Sequence, residues 1–335
     1  MRIAILDDYL NTAQDLSNWE SLPGTHTFFT GFLGHDDASV TAALQEFEII
    51  VAMRERTPFT RARLAKLPRL KLLVTTGMRN AAIDMDAARE LGIAVCGTAG
   101  SAPAAVEHTW ALIMAAARRL DVELFSTGRP RAANQPWQQA MGFELSGKTL
   151  GIFGLGNLGS KVAAIGKAFG MRVIAYSQNL TDERAAEFGV RRVSKEELFA
   201  SSDVLSIHLK LSERTTGVVD TPELALMKPT AVLVNTSRSP IINEDALVAA
   251  LAKGAPKHAS LDVFDVEPLP ADHRLLSTPG IIATPHLGYV TEDQFKIFYS
   301  GAVADIAAWV AGTPINVLNQ VKVAPLPRSN KKHGR

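Results

Sequence analysis

The sequence predicts an α/β protein built on doubly wound, parallel sheets. Three observations carry that expectation. Short apolar runs alternate with amphipathic stretches along most of the 335 residues, the pattern of strands and their covering helices. A glycine-rich turn, Gly154-Leu155-Gly156-Asn157-Leu158-Gly159, lies between an apolar run and an alanine-rich helical one. Three polar residues of catalytic type, Arg238, Glu267 and His286, each follow a strand-like run. A parallel sheet gathers its ligand-facing residues at those ends. The length itself suggests two domains, each able to bury a core.

In chain order, strands are expected near 2–6, 48–53, 70–75 and 93–96, with helices near 37–46, 60–66 and 85–91. Asp36 or Asp37 and Thr60 are suited to helix amino-terminal caps, because a short polar side chain accepts an orphan backbone N–H. Gly92 suits a carboxyl-terminal cap, where a left-handed residue is needed. A long helix is expected over 103–125, followed by an irregular arm over 129–140. A second strand–helix series runs from Lys148 to Thr284, and a last helix over 291–310. The proline-rich, basic stretch 324–335 reads as a loose tail.

Composition narrows the function classes. Hydrophobic residues make up 47% and charged residues 21% of the chain, as in ordinary globular enzymes. Lys+Arg 35 against Asp+Glu 34 gives a net charge of +1, which supports neither a nucleic-acid surface nor a membrane surface. One cysteine, Cys96 in an apolar setting, leaves no internal disulfide and no zinc-ribbon pattern; no metal site is expected. No apolar run reaches the ~18 residues that span a bilayer. A strand beginning at Met1 leaves no room for a signal peptide, so a cytoplasmic location is expected.

The glycine turn reads as a dinucleotide loop. Its spacing puts Gly154 at the tight turn, Gly156 where backbone nears a pyrophosphate, and Gly159 at the helix–strand contact. The helix beginning there, with Asn157 and Leu158 in its first turn, would meet phosphate with unpaired N–H groups and a favourable dipole. A lone Gly-x-Gly-x-x-Gly is weak evidence, but here a strand precedes it and a helix and second strand follow. That second strand, Arg172-Val173-Ile174-Ala175-Tyr176, ends at Ser177-Gln178-Asn179 rather than at an acidic residue. The missing carboxylate removes repulsion toward a 2′-phosphate, yet the nearest cation is Arg184. NAD or NADP therefore both fit, with a lean to NAD.

Read singly, Arg238 could cap a strand end or pair with Asp262 or Asp265. Glu267 before Pro268 could be a solvated turn carboxylate, and His286 a structural histidine. Together a cation, a carboxylate and an imidazole can hold an acidic substrate, orient a base and move a proton.

Taken in order, these segments resemble the D-isomer-specific 2-hydroxyacid dehydrogenase family over nearly the whole chain, from about Met1 to Asn319. The phosphate loop matches the family's cofactor loop. Val234-Asn235-Thr236-Ser237-Arg238 matches the segment of its catalytic arginine. Leu261-Asp262-Val263-Phe264 through Glu267-Pro268 matches the segment of its glutamate, and Thr284-Pro285-His286-Leu287-Gly288 that of its histidine. The resemblance implies a discontinuous layout: residues 1–99 plus 288–320 as a flavodoxin-like substrate-binding domain, and 100–287 as an inserted Rossmann cofactor domain, with a cleft between them and a tail over 321–335. It also implies a homodimer, with the 129–140 arm and Trp137 as interface candidates; because the chain ends soon after its last helix, no appended regulatory domain is expected. Asp262 would meet the nicotinamide, and Thr236 falls on the cofactor side. The chain departs from the family pattern at Ser239, usually glycine, and at Lys210, usually proline. In the substrate loop it reads Thr76-Gly77-Met78-Arg79-Asn80, with a bulky cation where glycine is common.

The implied reaction is hydride transfer between NAD(P)H and a 2-oxo acid. Arg238 would clamp the substrate carboxylate and polarise its carbonyl. His286 would supply the proton, and Glu267 would orient the imidazole and favour its protonated form. Glu267 speaks against formate oxidation, since the family's formate dehydrogenases lack that glutamate. His208 lines the nicotinamide cleft or is a buried core histidine. Arg54 and Arg79 either bind a second acidic group of the substrate or form surface ion pairs. Tyr289 walls the substrate pocket or packs on the last helix. A different class of function, a dinucleotide-sensing corepressor-like protein on the same fold, also keeps such residues.

Overall fold

The computed structural model describes residues 1–101, 103–123 and 136–321. It divides into two compact units, Met1–Ser101 with Thr291–Arg335, and Ala102–Val290.

The first unit holds five strands: β1 (Arg2–Ile5), β2 (Thr25–Phe28), β3 (Ile49–Ala52), β4 (Leu72–Thr75) and β5 (Ala94–Gly97). All pair in parallel, in the order β2-β1-β3-β4-β5, the flavodoxin-like arrangement. β3, β4 and β5 are buried on both faces, which is why they read as unbroken apolar runs. β2 is the strand that the apolar pattern misses. It is an edge strand, Thr-His-Thr-Phe, with no buried residue, so no continuous hydrophobic run marks it. Asp36 caps the helix Asp37–Leu44 by accepting from the Ser39 amide at 2.8 Å, and Thr60 caps Arg61–Leu64 through the Arg63 amide. Gly92, at φ +74°, follows the helix Met85–Glu90. The chain returns to this unit in the helix Glu292–Val310, which Thr291 caps. Phe295, Phe298, Tyr299, Ile306 and Trp309 bury its inner face, and Tyr299 meets Trp19 edge-on at 5.9 Å. Such large side chains stabilise by roughly 1.5–3 kcal/mol each when buried.

The second unit holds seven strands: β6 (Thr149–Phe153), β7 (Arg172–Tyr176), β8 (Arg191–Arg192), β9 (Val204–Ile207), β10 (Val232–Asn235), β11 (His258–Leu261) and β12 (Ile281–Ala283). They too are parallel, in the order β12-β11-β10-β9-β6-β7-β8. Counted from β6, this is the Rossmann order extended by one strand, with its switch point between β6 and β9. Alternation along each strand fills two cores. Leu150, Ile152, Val232 and Val234 join Trp110, Ile113 and Val162 on one face. Phe153 and Leu233 join Phe199, Leu224 and Leu247 on the other.

The long helix expected over 103–125 is shorter in the structure. It runs Pro103–Arg118, and a separate turn follows at Leu120–Glu123. Arg119 breaks it in a left-handed conformation, φ +54°, and forks onto Asp121 with both contacts at 3.1 Å. Gly142 also packs against this helix end, where a Cβ would lie 2.4 Å from the Ala117 carbonyl oxygen. Residues 129–135 of the expected arm lie outside the described residues, as does the tail from 322. Trp137 is described and is 78% exposed. No helix among the described residues is long and apolar enough to cross a membrane.

Candidate active site

Arg238, Glu267 and His286 follow the carboxyl ends of three neighbouring strands of the second unit. The register aligns Asn235 with Leu261 and Leu261 with Ala283, the last residues of β10, β11 and β12. Each polar residue lies just beyond one of them.

The structure joins His286 and Glu267 directly, Nδ1 to Oε2 at 2.7 Å. The other carboxylate oxygen of Glu267 accepts the Phe264 amide at 2.9 Å, so the acid is fixed from both sides. Both side chains retain some solvent access, 18% for His286 and 26% for Glu267. The Tyr289 ring stands edge-on to the imidazole, 5.2 Å between centroids.

His286 itself is left-handed, φ +54°. A non-glycine residue there costs on the order of 1–3 kcal/mol and needs support from its surroundings. Asp262 supplies it. Its carboxylate, 1% exposed, accepts the next two amides, Leu287 at 2.7 Å and Gly288 at 2.9 Å. It also accepts the Thr284 hydroxyl at 2.6 Å and meets His108 Nε2 at 3.0 Å. Burial pushes this carboxyl upward, but the bonds from His108, Thr284 and Leu287 outweigh that and hold it below the usual carboxylate range.

Arg238 leaves β10 in extended conformation. Its strand end is braced by buried Asn235, whose Nδ2 donates to the Arg238 carbonyl at 3.0 Å while its Oδ1 accepts the Ser237 amide at 3.0 Å. The guanidinium Nη1 donates to the Ser237 carbonyl at 2.7 Å. Ser239 opens a single 3-10 turn, Ser239–Ile241, and its φ is not positive, so a side chain is accommodated there without strain.

The phosphate loop has the geometry that its spacing demands. Gly154 turns at φ +107°, and a Cβ there would lie 2.7 Å from the His208 carbonyl oxygen. A Cβ on Gly159 would lie 2.2 Å from the Gly154 carbonyl oxygen, so helix and strand touch through hydrogen alone. Gly156, which precedes the helix Asn157–Ala168, has no atom within 4 Å of its Cβ position beyond its own chain neighbours. Open backbone before a twelve-residue helix amino terminus fits a pyrophosphate. Ser177 is half-buried and Gln178 exposed beyond β7. Arg184, the first cation in the chain after β7, is paired with Glu187 and stacked on Phe188 at 4.6 Å.

His208 Nε2 meets Ser206 Oγ at 2.8 Å, and burial holds its imidazole down at about 4. It is therefore neutral at physiological pH. Thr236 Oγ1 lies 2.8 Å from Thr109 Oγ1.

Arg54, Gly77, Met78 and Arg79 belong to the first unit. Arg54 is left-handed, φ +50°. Its Nη1 donates to the Thr76 carbonyl at 2.9 Å, its Nε lies 3.6 Å from Glu55, and its amide donates to Thr76 Oγ1 at 2.8 Å. The guanidinium lies where a Cβ on Gly77 would be, 1.9 Å from Nη1. Met78 and Arg79 are exposed, while Asn80 is buried and donates to the Arg54 carbonyl at 2.6 Å.

Sequence reasoning missed His108, Thr109 and Asn80. The available signal was a polar pair, His108-Thr109, inside a helix otherwise buried through Ala104, Val106, Trp110, Leu112 and Ile113.

Comparison with known proteins identifies the family. The family described as D-isomer specific 2-hydroxyacid dehydrogenase, NAD binding domain, matches residues 110–288. A glyoxylate reductase of Aeropyrum pernix is 41% identical over 263 residues, 77% of this chain and 78% of that protein. A D-3-phosphoglycerate dehydrogenase of Bacillus subtilis is 33% identical over 90% of this chain, but the match spans only 56% of that longer protein. The crystal structure of a phosphoglycerate oxidoreductase from Vibrio cholerae superposes with a TM-score of 0.86 at 37% identity, covering 93% of this chain and 99% of the other. A D-lactate dehydrogenase from Aquifex aeolicus, complexed with NAD and lactic acid, gives 0.72 at 27% identity, covering 93% and 96%. The chain belongs to the D-isomer-specific 2-hydroxyacid dehydrogenase family of NAD(P)-dependent oxidoreductases.

Proposed function

We propose that this protein reduces a short 2-oxo acid to the D-2-hydroxy acid, reversibly, with NAD(H) as the cofactor. The observation that carries the reading is the His286–Glu267 pair at 2.7 Å, beyond the carboxyl ends of β12 and β11, which follow in sheet order on β10, the strand leading to Arg238. When bound, the nicotinamide supplies or accepts the hydride. Arg238 holds the substrate carboxylate and draws charge toward the carbonyl oxygen through charge-assisted hydrogen bonds. His286 donates the proton to that oxygen from Nε2, since Nδ1 is committed to Glu267. Glu267, itself fixed by the Phe264 amide, keeps the ring in that orientation. Asp262 supports the loop on the nicotinamide side. Among the described residues its Oδ2 accepts one donor, the Gly288 amide, and a carboxylate oxygen can accept two.

Gly154, Gly156, Asn157, Leu158 and Gly159 are the residues we assign to the pyrophosphate, with Ser177 and Gln178 at the ribose and His208 and Thr236 on the cofactor side. The lean to NAD gains support from Arg184, which is engaged within its own helix. Substrate recognition is assigned to Gly77, Met78, Arg79 and Tyr289, with Arg54 shaping the loop through Thr76. A glyoxylate-like substrate follows from the relative from Aeropyrum pernix. The exposed Trp137 and Met141, the latter 92% exposed, fit a homodimer contact.

The test is NAD(P)H absorbance against a panel of 2-oxo acids, with both cofactors, on wild type and His286→Ala. Loss of proton transfer lowers turnover by roughly 100- to 10,000-fold, with cofactor binding retained. Full activity in His286→Ala overturns the assignment.

A further inference from the structure

We infer that two adjacent residues, His108 and Thr109 in the helix Pro103–Arg118, form a positioning clamp that sets the substrate anchor and the proton donor relative to each other. The inference rests on the roles given above to Arg238 and His286. One residue of the pair holds the loop of His286, and the other holds the segment leading to Arg238.

On the His286 side, His108 Nε2 lies 3.0 Å from Asp262 Oδ1 and 3.0 Å from Thr284 Oγ1. The Thr284 hydroxyl spends its single proton on Asp262, so both oxygens present lone pairs to His108. Nε2 therefore carries a proton and donates to both. That bond closes a ring of donors around Asp262, whose remaining contacts are the Leu287 and Gly288 amides on the far side of left-handed His286. A buried carboxylate deprived of one donor shifts toward those that remain, and the backbone on either side of His286 moves with it.

On the Arg238 side, Thr109 is fully buried and donates its proton to the Ala105 carbonyl at 2.8 Å. Its oxygen can then only accept from Thr236, at 2.8 Å. Thr236 opens the segment whose next residue, Ser237, is tied through Oγ to the Ile207 carbonyl at 3.0 Å and whose Arg238 follows. The same helix packs on β10 and β11, so both tethers spring from one rigid element, which is the arrangement that holds a site to sub-ångström tolerance. Neither residue touches the pair that we assign to chemistry, so both are positioning residues.

The split in kinetic constants tests this. Steady-state kinetics with NADH and glyoxylate, NADH affinity by calorimetry and thermal melting are measured for His108→Leu, His108→Gln, Thr109→Val and Thr109→Ser. His108→Leu should lower kcat by roughly tenfold or more, the loss of one charge-assisted hydrogen bond, with KM and NADH affinity within about threefold. Glutamine, whose amide can donate from a similar place, should restore kcat to within about threefold. Thr109→Val should instead raise KM for the 2-oxo acid by roughly threefold to tenfold, and serine should restore it. The clamp is overturned if both apolar variants keep kcat and KM within about twofold of wild type. It is equally overturned if activity falls only in step with melting temperature and NADH affinity, without rescue. His286→Ala run alongside separates the failures: an inactive His286→Ala beside unaffected clamp variants removes the clamp and leaves the reaction assignment standing.

Discussion

Asp262→Asn probes how the histidine loop is held. The substitution keeps an acceptor facing Thr284, His108 and Leu287, but sets an NH2 group against the Gly288 amide, now 2.9 Å from Oδ2. One charge-assisted bond, worth about 1.5–3 kcal/mol, is lost to a donor–donor contact. The other three bonds weaken from charge-assisted to neutral. Against this, a neutral amide avoids part of the desolvation of a carboxylate that is 1% exposed. The net expectation is a loss of about 3 kcal/mol. For a unit of this size each kcal/mol lowers the melting temperature by roughly 2–4 °C, which gives about 6–12 °C. The pH dependence has a definite sign. The native carboxyl sits below its ordinary value of 3.8. Its stabilising contribution is therefore complete above that value and is lost as pH falls through the depressed native one. Urea denaturation at neutral pH should show the full gap between wild type and Asp262→Asn, and the gap should close as pH falls below about 4. A melting temperature within about 2 °C of wild type, or a gap that persists unchanged in acid, would refute the network as the support of the loop.

Three further outcomes follow from single residues. Gly156→Ala should cost no more than about 1 kcal/mol of stability, because its Cβ position is open, yet weaken NADH binding by roughly tenfold or more as the methyl enters the phosphate approach. Gly159→Ala should weaken both, by about 1–3 kcal/mol in stability, since its Cβ would lie 2.2 Å from a carbonyl oxygen; calorimetry and urea denaturation distinguish the pair. Cys96 is fully buried, and burial pushes its thiol up to about 12, so a thiol reagent at about pH 8 should label it only after denaturation.

Much of the fold was legible because its signals are local. Asp36 and Thr60 cap the helices expected of them, and β3, β4 and β5 announce themselves as apolar runs because both faces are covered. β2 gave no such signal, since an edge strand with no buried residue needs no apolar run. The helix break at Arg119 was equally silent. A left-handed arginine carries no mark in composition, and the glycine that crowds the helix end, Gly142, is distant in sequence. Arg54 read as a cation for a substrate group or for a surface ion pair; nothing in the sequence signalled that its guanidinium donates to the Thr76 carbonyl just past β4 while lying 3.6 Å from Glu55.

By itself the sequence determined the chemistry's vocabulary: a Gly-x-Gly-x-x-Gly turn with its sterically required glycines, and three segments carrying an arginine, a glutamate and a histidine past strand ends. Each is a contiguous motif whose meaning depends on near neighbours. Only the tertiary structure decided what holds these segments in place. Asp262 lies 154 residues from His108, and Thr236 lies 127 from Thr109. Hydrogen bonds over such separations leave no periodicity or spacing in the chain, because their partners are chosen by the packing of a helix against a sheet. The same packing decides which lone pairs are already spent inside the protein and which are left to meet a ligand.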